Sequence, residues 1–114
     1  MNSQEQILEF MDSVHTIDDL YEALADSAGL GADEINKSGA GKSYFSRIWA
    51  QQCPAICRNN FVRAYIEDEN TADGVDLITQ LLTILVVVPG VNMVIVACLA
   101  VRIGLRSLCA QCST

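Results

Sequence analysis

The 114-residue sequence has few of the residues on which most enzymes and nucleic-acid-binding proteins depend. Histidine occurs once, at His15, and no Ser or Cys lies at the spacing of a catalytic motif from it. No pair of carboxylates stands out either. Lys and Arg total 7 against 14 Asp and Glu, so the formal net charge is −7. These shortages predict a non-enzymatic protein, and the average charge alone argues against a dedicated nucleic-acid binder.

Acidic residues are missing from the middle of the chain. No Asp or Glu occurs between Ile35 and Ile66, and the 14 acids lie in residues 5–34 and 67–76. The acid-free stretch carries most of the cations, namely Lys37, Lys42, Arg47, Arg58 and Arg63. The chain therefore has a basic island, residues 35–66, between acidic flanks, and the net charge hides it.

Charge of either sign is missing between Leu77 and Val101. These 25 residues include 19 apolar ones, and about 20 would be enough to cross a bilayer. Pro89 and Gly90 interrupt the stretch at its centre. The cations that follow it would hold the C-terminus in the cytoplasm and leave the basic island outside. A buried helical hairpin, with arms at about 75–88 and 91–109, is therefore favoured over a membrane span.

The arms of this hairpin are apolar on almost every side. That composition implies burial all round, which is more than five small helices easily provide. We therefore expect homo-oligomerisation or membrane contact through the segment from Leu77 to Val101. A membrane span, a membrane insertion or a pore-forming peptide remain as alternatives. A β-hairpin is disfavoured because Pro-Gly suits a type II turn.

The first 76 residues carry helical periodicity, with apolar residues three and four positions apart. A short helix at about 32–38, a turn at 38–41 and a helix at 42–52 are expected in the middle of this region. The signals for helix starts and stops are Ser3 with Gln6, Thr16 with Asp19, Gly29, Pro54, and Asp73 with Asp76. The prediction is an all-α protein, with a five-helix domain (1–70) and the hydrophobic hairpin (73–112).

Five cysteines are many for this length, and their number is odd: Cys53, Cys57, Cys98, Cys109 and Cys112. The first residues, MNSQEQILEF, do not have the pattern of a secretory signal, so free thiols in a reducing cytoplasm are favoured. Two alternatives stay open. The Cys-x3-Cys and Cys-x2-Cys spacings would bind zinc if the tail folded back onto Pro54, or the cysteines would form disulfides.

Residues 38–43, Ser-Gly-Ala-Gly-Lys-Ser, look like the end of a phosphate-binding loop. The pattern needs a further glycine at position 36, where this chain has Asn36, and no apolar strand precedes it. A turn between two helices is the expected structure. No cofactor and no metal site is predicted.

A second pattern covers residues 17–66. Ala28-Gly29-Leu30 ends one helix of this pattern, Glu34-Ile35 lies in the next, and Gly39 lies at a turn. A third helix contains Lys42-Ser43 and Phe45–Ile48, and the run Phe61–Ile66 follows it. This run resembles the helix-turn-helix core of the Xre/Cro-type phage-repressor family. The resemblance implies a recognition helix at about 42–52 and DNA contacts from Lys37, Lys42, Ser43, Ser46, Arg47 and Arg58.

The leading hypothesis is thus a small cytoplasmic regulator that binds DNA or a protein partner. Its hairpin would serve oligomerisation or membrane docking. One alternative is a membrane-inserting effector or interaction module. Another follows from the first 28 residues, where Phe10, Val14, Leu20 and Leu24 are similar to Nif11-type leader peptides. That similarity implies a precursor of a ribosomally made, modified peptide.

Overall fold

The computed structural model describes residues 3–12, 14–30, 36–71 and 73–112. Over these residues the chain is helical and contains no strand. The α-helices are α1 (Ser3–Met11), α2 (Ile17–Ala28), α3 (Lys37–Arg58), α4 (Asn60–Glu67), α5 (Gly74–Ile84), α6 (Met93–Ile103) and α7 (Leu105–Ala110), and a 3-10 turn spans Glu69–Thr71. The all-α prediction is confirmed. Most of the short helix expected at 32–38, and the side chain of Ser3, lie outside the described residues.

Two of the expected helix starts are capped as the sequence predicts. Thr16 Oγ1 accepts a hydrogen bond from Asp19 N at 3.0 Å, and Asp19 Oδ2 accepts one from Thr16 N at 2.9 Å. Asp73 Oδ1 likewise accepts from Asp76 N at 2.8 Å at the start of α5. These bonds satisfy backbone donors that have no partner within a helix, which fixes where α2 and α5 begin.

The turn expected at residues 38–41 is not formed, because these residues are the first turns of the 22-residue helix α3. Pro54 does not break α3 either and lies inside it. The glycine at position 41 has a packing reason. A Cβ atom there would lie 1.9 Å from the carbonyl oxygen of Tyr21. Gly41 therefore lets the backbones of α2 and α3 touch, and α3 continues where a turn was predicted.

Helix α6 lies at the centre of the molecule. Its residues from Val94 to Ala100 are all buried, and α1, α2 and α5 pack around it. Helix α5 contributes the buried Leu77, Ile78 and Leu81 to the same core. Helices of the same chain thus provide the burial that we expected to require a second copy or a membrane. Oligomerisation itself stays a prediction.

Asn92 precedes α6 and links the start of this helix to α1 and α2. Its side-chain oxygen accepts from Val94 N at 3.0 Å and caps α6. Its backbone N–H donates to Ser27 Oγ at 2.7 Å, and its side-chain amide donates to Gln6 Oε1 at 3.2 Å. This polar residue, which the sequence places inside an apolar stretch, therefore starts a helix and ties it to α1 and α2. Within the described residues, no helix combines the length and apolarity needed to cross a membrane.

Candidate functional site

Helix α3 carries all six residues that the sequence predicts to contact DNA. Five of them are exposed: Lys42, Ser43, Ser46, Arg47 and Arg58. Lys37 differs, because its Nζ lies 3.1 Å from Asp26 Oδ1 and only 18% of its side chain is exposed. Its charge is already compensated by a carboxylate of α2, so Lys37 is the weakest of the six as a contact for a phosphate.

The exposed five do not form one patch. At 100° per residue, Ser43, Arg47 and Arg58 point to the same side of α3, and the two arginines are separated by about three turns, or roughly 16 Å. Lys42 and Ser46 point toward a different edge of the helix. Helical geometry therefore puts Ser43, Arg47 and Arg58 on one side of α3, with Lys42 and Ser46 on the neighbouring side.

Arg47 faces the connection between α5 and α6. Its guanidinium carbon lies 5.4 Å from the ring centroid of Tyr44, within the distance of a cation–π contact. Both residues line a cleft of about 190 Å³ together with Ile48, Gln51 and Val88. The cationic face of α3 is thus continuous with an apolar residue from a distant part of the chain.

Residues 85–90, here called the valine loop, carry two strongly exposed apolar side chains beside this cleft. Val86 and Val87 are each 71% exposed. The side chain of Gln52 holds the loop, because its Nε2 donates to Val86 O at 3.0 Å and its Oε1 accepts from Val86 N at 2.8 Å. Both backbone polar groups of Val86 are therefore satisfied by one side chain of α3, and the loop is fixed with two valines facing solvent.

The sequence prediction placed residues 85–88 in the first arm of the hairpin and Pro89-Gly90 at the break between the arms. Helix α5 instead ends at Ile84, and Leu85 takes an extended conformation. Two signals point to that ending. Pro89 disfavours a helical residue before it, and the β-branched run from Val86 to Val88 has low helix propensity. The partner, Gln52, is 34 positions away and carries no signal in the sequence.

Four cysteines form what we call the cysteine cluster: the buried Cys53 and the partly buried Cys57, Cys109 and Cys112. They are joined in two disulfides, Cys53–Cys112 and Cys57–Cys109, with Cα–Cα distances of 6.1 and 5.6 Å. The expectation of free thiols is therefore wrong for these four. The tail does fold back next to Pro54, because α7 runs antiparallel to the end of α3.

The fifth cysteine, Cys98, is free and buried in α6. Burial raises the pKa of its thiol to about 12, and the nearby charge of Arg102 offsets this only in part. Cys98 is thus an apolar core residue without reactive thiolate character. Among the described residues, and with both disulfides formed, no group of His, Cys, Asp or Glu is arranged to hold a metal ion.

Protein-family models, curated proteins and solved structures contain no match to this chain. Two features of the described residues carry chemistry. One is the valine loop with the adjoining face of α3, and the other is the cysteine cluster.

Proposed function

We propose that this protein is a non-enzymatic binding module whose docking surface is the valine loop together with the adjoining face of α3. Its partner is a protein that offers an apolar pocket with an acidic border. The observation that carries the proposal is the solvent-facing pair Val86 and Val87, in a loop that two hydrogen bonds between Gln52 and the backbone of Val86 hold in place.

Burial of the two valines supplies the driving force. Removing a valine side chain from water is worth about 1.5 kcal/mol, so the pair contributes about 3 kcal/mol when a partner covers both. The loop loses little conformational entropy on binding, because Gln52 already holds its backbone. A pre-formed apolar projection of this kind fits a pocket better than a flat surface.

The charges around the loop indicate the sign of the partner. Arg47 borders the cleft that contains Val88, and residues 35–66 include no acid. Carboxylates around a partner's pocket would pair with this cation and steer the encounter. The net charge of −7 opposes association with an anionic lipid surface, with a second copy and with DNA. A protein whose acidic groups are local to its pocket is the partner that these charges favour.

A helix-turn-helix-like use of residues 17–66 is the competing proposal. Arg47 and Arg58 lie on the same side of α3, as a helix that contacts two phosphates requires. Contact with DNA would depend on these cations and on Ser43 but not on the valines. The two proposals therefore predict opposite responses to substitution of the valines and to substitution of Arg58, whereas Arg47 contributes to both.

The test compares Val86→Asp with Val14→Asp in affinity capture from cells that make the protein. Val14 is 78% exposed and lies in the connection between α1 and α2, so it controls for an added surface charge. A captured protein is purified, and its Kd is measured for each variant. We expect Val86→Asp to weaken binding at least about tenfold, which corresponds to about 1.4 kcal/mol, and Val14→Asp to leave it within about twofold.

A charge reversal tests the acidic border. Arg47→Glu is expected to weaken the same complex at least about tenfold, while Arg58→Glu, about three turns away, changes it little. Equal effects of Val86→Asp and Val14→Asp would overturn the proposal. Binding of duplex DNA that survives Val86→Asp but is lost in Arg47→Ala with Arg58→Ala would replace it by the nucleic-acid function. Sedimentation with phosphatidylserine vesicles that depends on Val86 would replace it by membrane docking.

A further inference from the structure

The cysteine cluster has the spacing and placement of a four-ligand metal site. Cys53 and Cys57 are one helical turn apart on the same side of α3, a rise of about 6 Å. Cys112 N donates to Cys109 O at 3.1 Å, so the second pair is folded into a tight turn at the end of α7. With partners 6.1 and 5.6 Å apart between Cα atoms, the four residues mark the corners of a square roughly 6 Å wide.

A zinc ion fits within this square after modest side-chain movement. Zinc binds thiolate sulfur at about 2.3 Å, which places the sulfurs of a tetrahedral site about 3.8 Å apart. Bonded sulfurs lie closer than that, so each pair has to separate and rotate about its side-chain torsions. The disulfides show that the two cysteines of each pair face one another, and Cα–Cα distances of 6.1 and 5.6 Å leave the backbone close to the arrangement that four zinc ligands need.

The geometry points to a redox-dependent zinc site: with both disulfides reduced, the cysteine cluster binds one Zn²⁺ through four thiolates. Two molecules of a dithiol reductant each transfer two electrons and two protons to one disulfide, giving four thiols and two oxidised reductants. Binding of Zn²⁺ then releases the four thiol protons. Two molecules of an oxidised disulfide reverse the process: each accepts two electrons from a thiolate pair and two protons from solvent to become two thiols, both protein disulfides re-form, and Zn²⁺ is released. This site is independent of the docking surface proposed above.

The surroundings of the cluster support exchange between the two states. A cleft of about 260 Å³ opens onto Cys53 and Cys112, and another of about 370 Å³ opens onto Cys109. A small dithiol can therefore approach each disulfide from its own side. Cys98, in contrast, is buried within α6 and has no such access.

Two guanidinium groups lie beside Cys109. Arg63 and Arg106 line the same cleft as Cys109, together with one acid, Glu67. Arg106 also lies 4.0 Å from Glu69, so this region holds two cations and two carboxylates. A four-thiolate zinc centre carries a net charge of −2, and the guanidinium groups that line the cleft compensate part of it.

Contacts other than the disulfides keep α7 in place after reduction. Trp49 Nε1 donates to Leu108 O at 3.4 Å, and Arg106 Nη2 donates to Ile66 O at 2.6 Å. Leu105 is buried in the core at the start of α7. The two thiol pairs therefore remain close to each other, so the zinc site is pre-organised in the reduced protein.

The experiment uses the full chain, reduced with dithiothreitol under anaerobic conditions and freed of reductant. Zinc is titrated in competition with a chromophoric chelator, and Co²⁺ is used as a spectroscopic substitute. We expect one metal ion per chain, with the sulfur-to-cobalt charge-transfer bands and intense d–d bands of a tetrahedral thiolate site. The oxidised protein is expected to bind at least 100-fold more weakly.

Variants separate the site from the other thiol. Cys98→Ala is expected to keep the Co²⁺ spectrum and the zinc stoichiometry, whereas Cys57→Ser with Cys109→Ser loses at least 100-fold in zinc affinity. Circular dichroism identifies a variant that fails to fold. The unmodified chain gives the decisive result in any case: reduced protein that takes up no zinc, or a Co²⁺ spectrum without thiolate charge transfer, overturns the proposal. Equal zinc uptake by the oxidised form also overturns it.

Discussion

Gly41 sets the distance between α2 and α3. A Cβ atom at this position would overlap backbone atoms of Tyr21. Backbone atoms inside a helix cannot rotate out of the way as the end of a side chain can. The two helices must therefore separate to accommodate any other residue. Aromatic contacts depend on the same distance, since the rings of Tyr21 and Phe45 lie 6.3 Å apart between centroids.

Gly41→Ala is therefore expected to lower the free energy of unfolding by about 2–3 kcal/mol, the usual cost of overpacking a tight contact. Gly39→Ala is the matched control in the same helix, because a Cβ atom at Gly39 would have no packing neighbour within 4 Å. It is expected to stabilise the protein by up to about 1 kcal/mol through higher helix propensity. Urea denaturation measures both variants, and a Gly41→Ala protein as stable as Gly39→Ala would contradict this packing.

At the scale of the elements, α3 connects the valine loop and the cysteine cluster. Its first turns pack on α2, its middle holds the valine loop through Gln52, and its last turns carry Cys53 and Cys57. One uninterrupted helix thus fixes the positions of the valine loop and the cysteine cluster relative to the core.

Gln52→Ala is expected to release the valine loop. Two exposed hydrogen bonds are lost, at about 0.5–1 kcal/mol each, so the change in global stability is small. The local effect is larger, and amide hydrogen exchange at Val86 should accelerate at least about tenfold. Exchange at Leu81, a buried residue inside α5 and outside the valine loop, is the internal reference.

Gln51→Ala, one position earlier on α3, is the control for loss of a glutamine side chain near the loop. It is expected to leave exchange at Val86 unchanged. An exchange rate at Val86 that is equal in Gln52→Ala and Gln51→Ala would show that Gln52 does not hold the loop in solution. Because fixed valines are the basis of the proposed docking surface, the proposal also requires that Gln52→Ala weaken the partner complex.

For the whole molecule, the two neighbouring disulfides cross-link the same two distant segments of the chain, the end of α3 and residues 109–112. Their partners are separated by 59 and 52 positions. The first bridge to form closes a long loop and restricts the unfolded chain by about 4 kcal/mol. The second closes only a ring on the order of ten residues and adds about 2–3 kcal/mol.

Removal of the bridges is accordingly expected to be non-additive. Cys57→Ser with Cys109→Ser, or Cys53→Ser with Cys112→Ser, should each cost about 2–3 kcal/mol, and removal of all four cysteines about 6–7 kcal/mol. Denaturation midpoints measure these costs. The unmodified protein, reduced and kept with a metal chelator, is the chemical control and should approach the fourfold variant. A cost below about 1 kcal/mol for either pair would mean that its bridge is not formed.

Local chemistry in the sequence was enough for much of the helical framework. The Thr16–Asp19 capping box, the stop at Gly29 and the Asp73 cap depend on residues within four positions of one another, so they can be recognised without tertiary contacts. The same holds for the all-α class. It does not hold for residues 38–41, where glycines that look like a turn are helical because α2 packs against Gly41.

The sequence by itself therefore determined the class of fold, the starts of α2 and α5, the end of α2 and the position of the basic island. Only the tertiary structure decided which cysteines pair, that Val86 and Val87 face solvent while Val94 to Ala100 are buried, and that Gln52 holds the valine loop. The physical reason is separation along the chain. Helix caps and periodicity act over a few residues, whereas these contacts join positions 34 to 59 apart that only the packed core brings together.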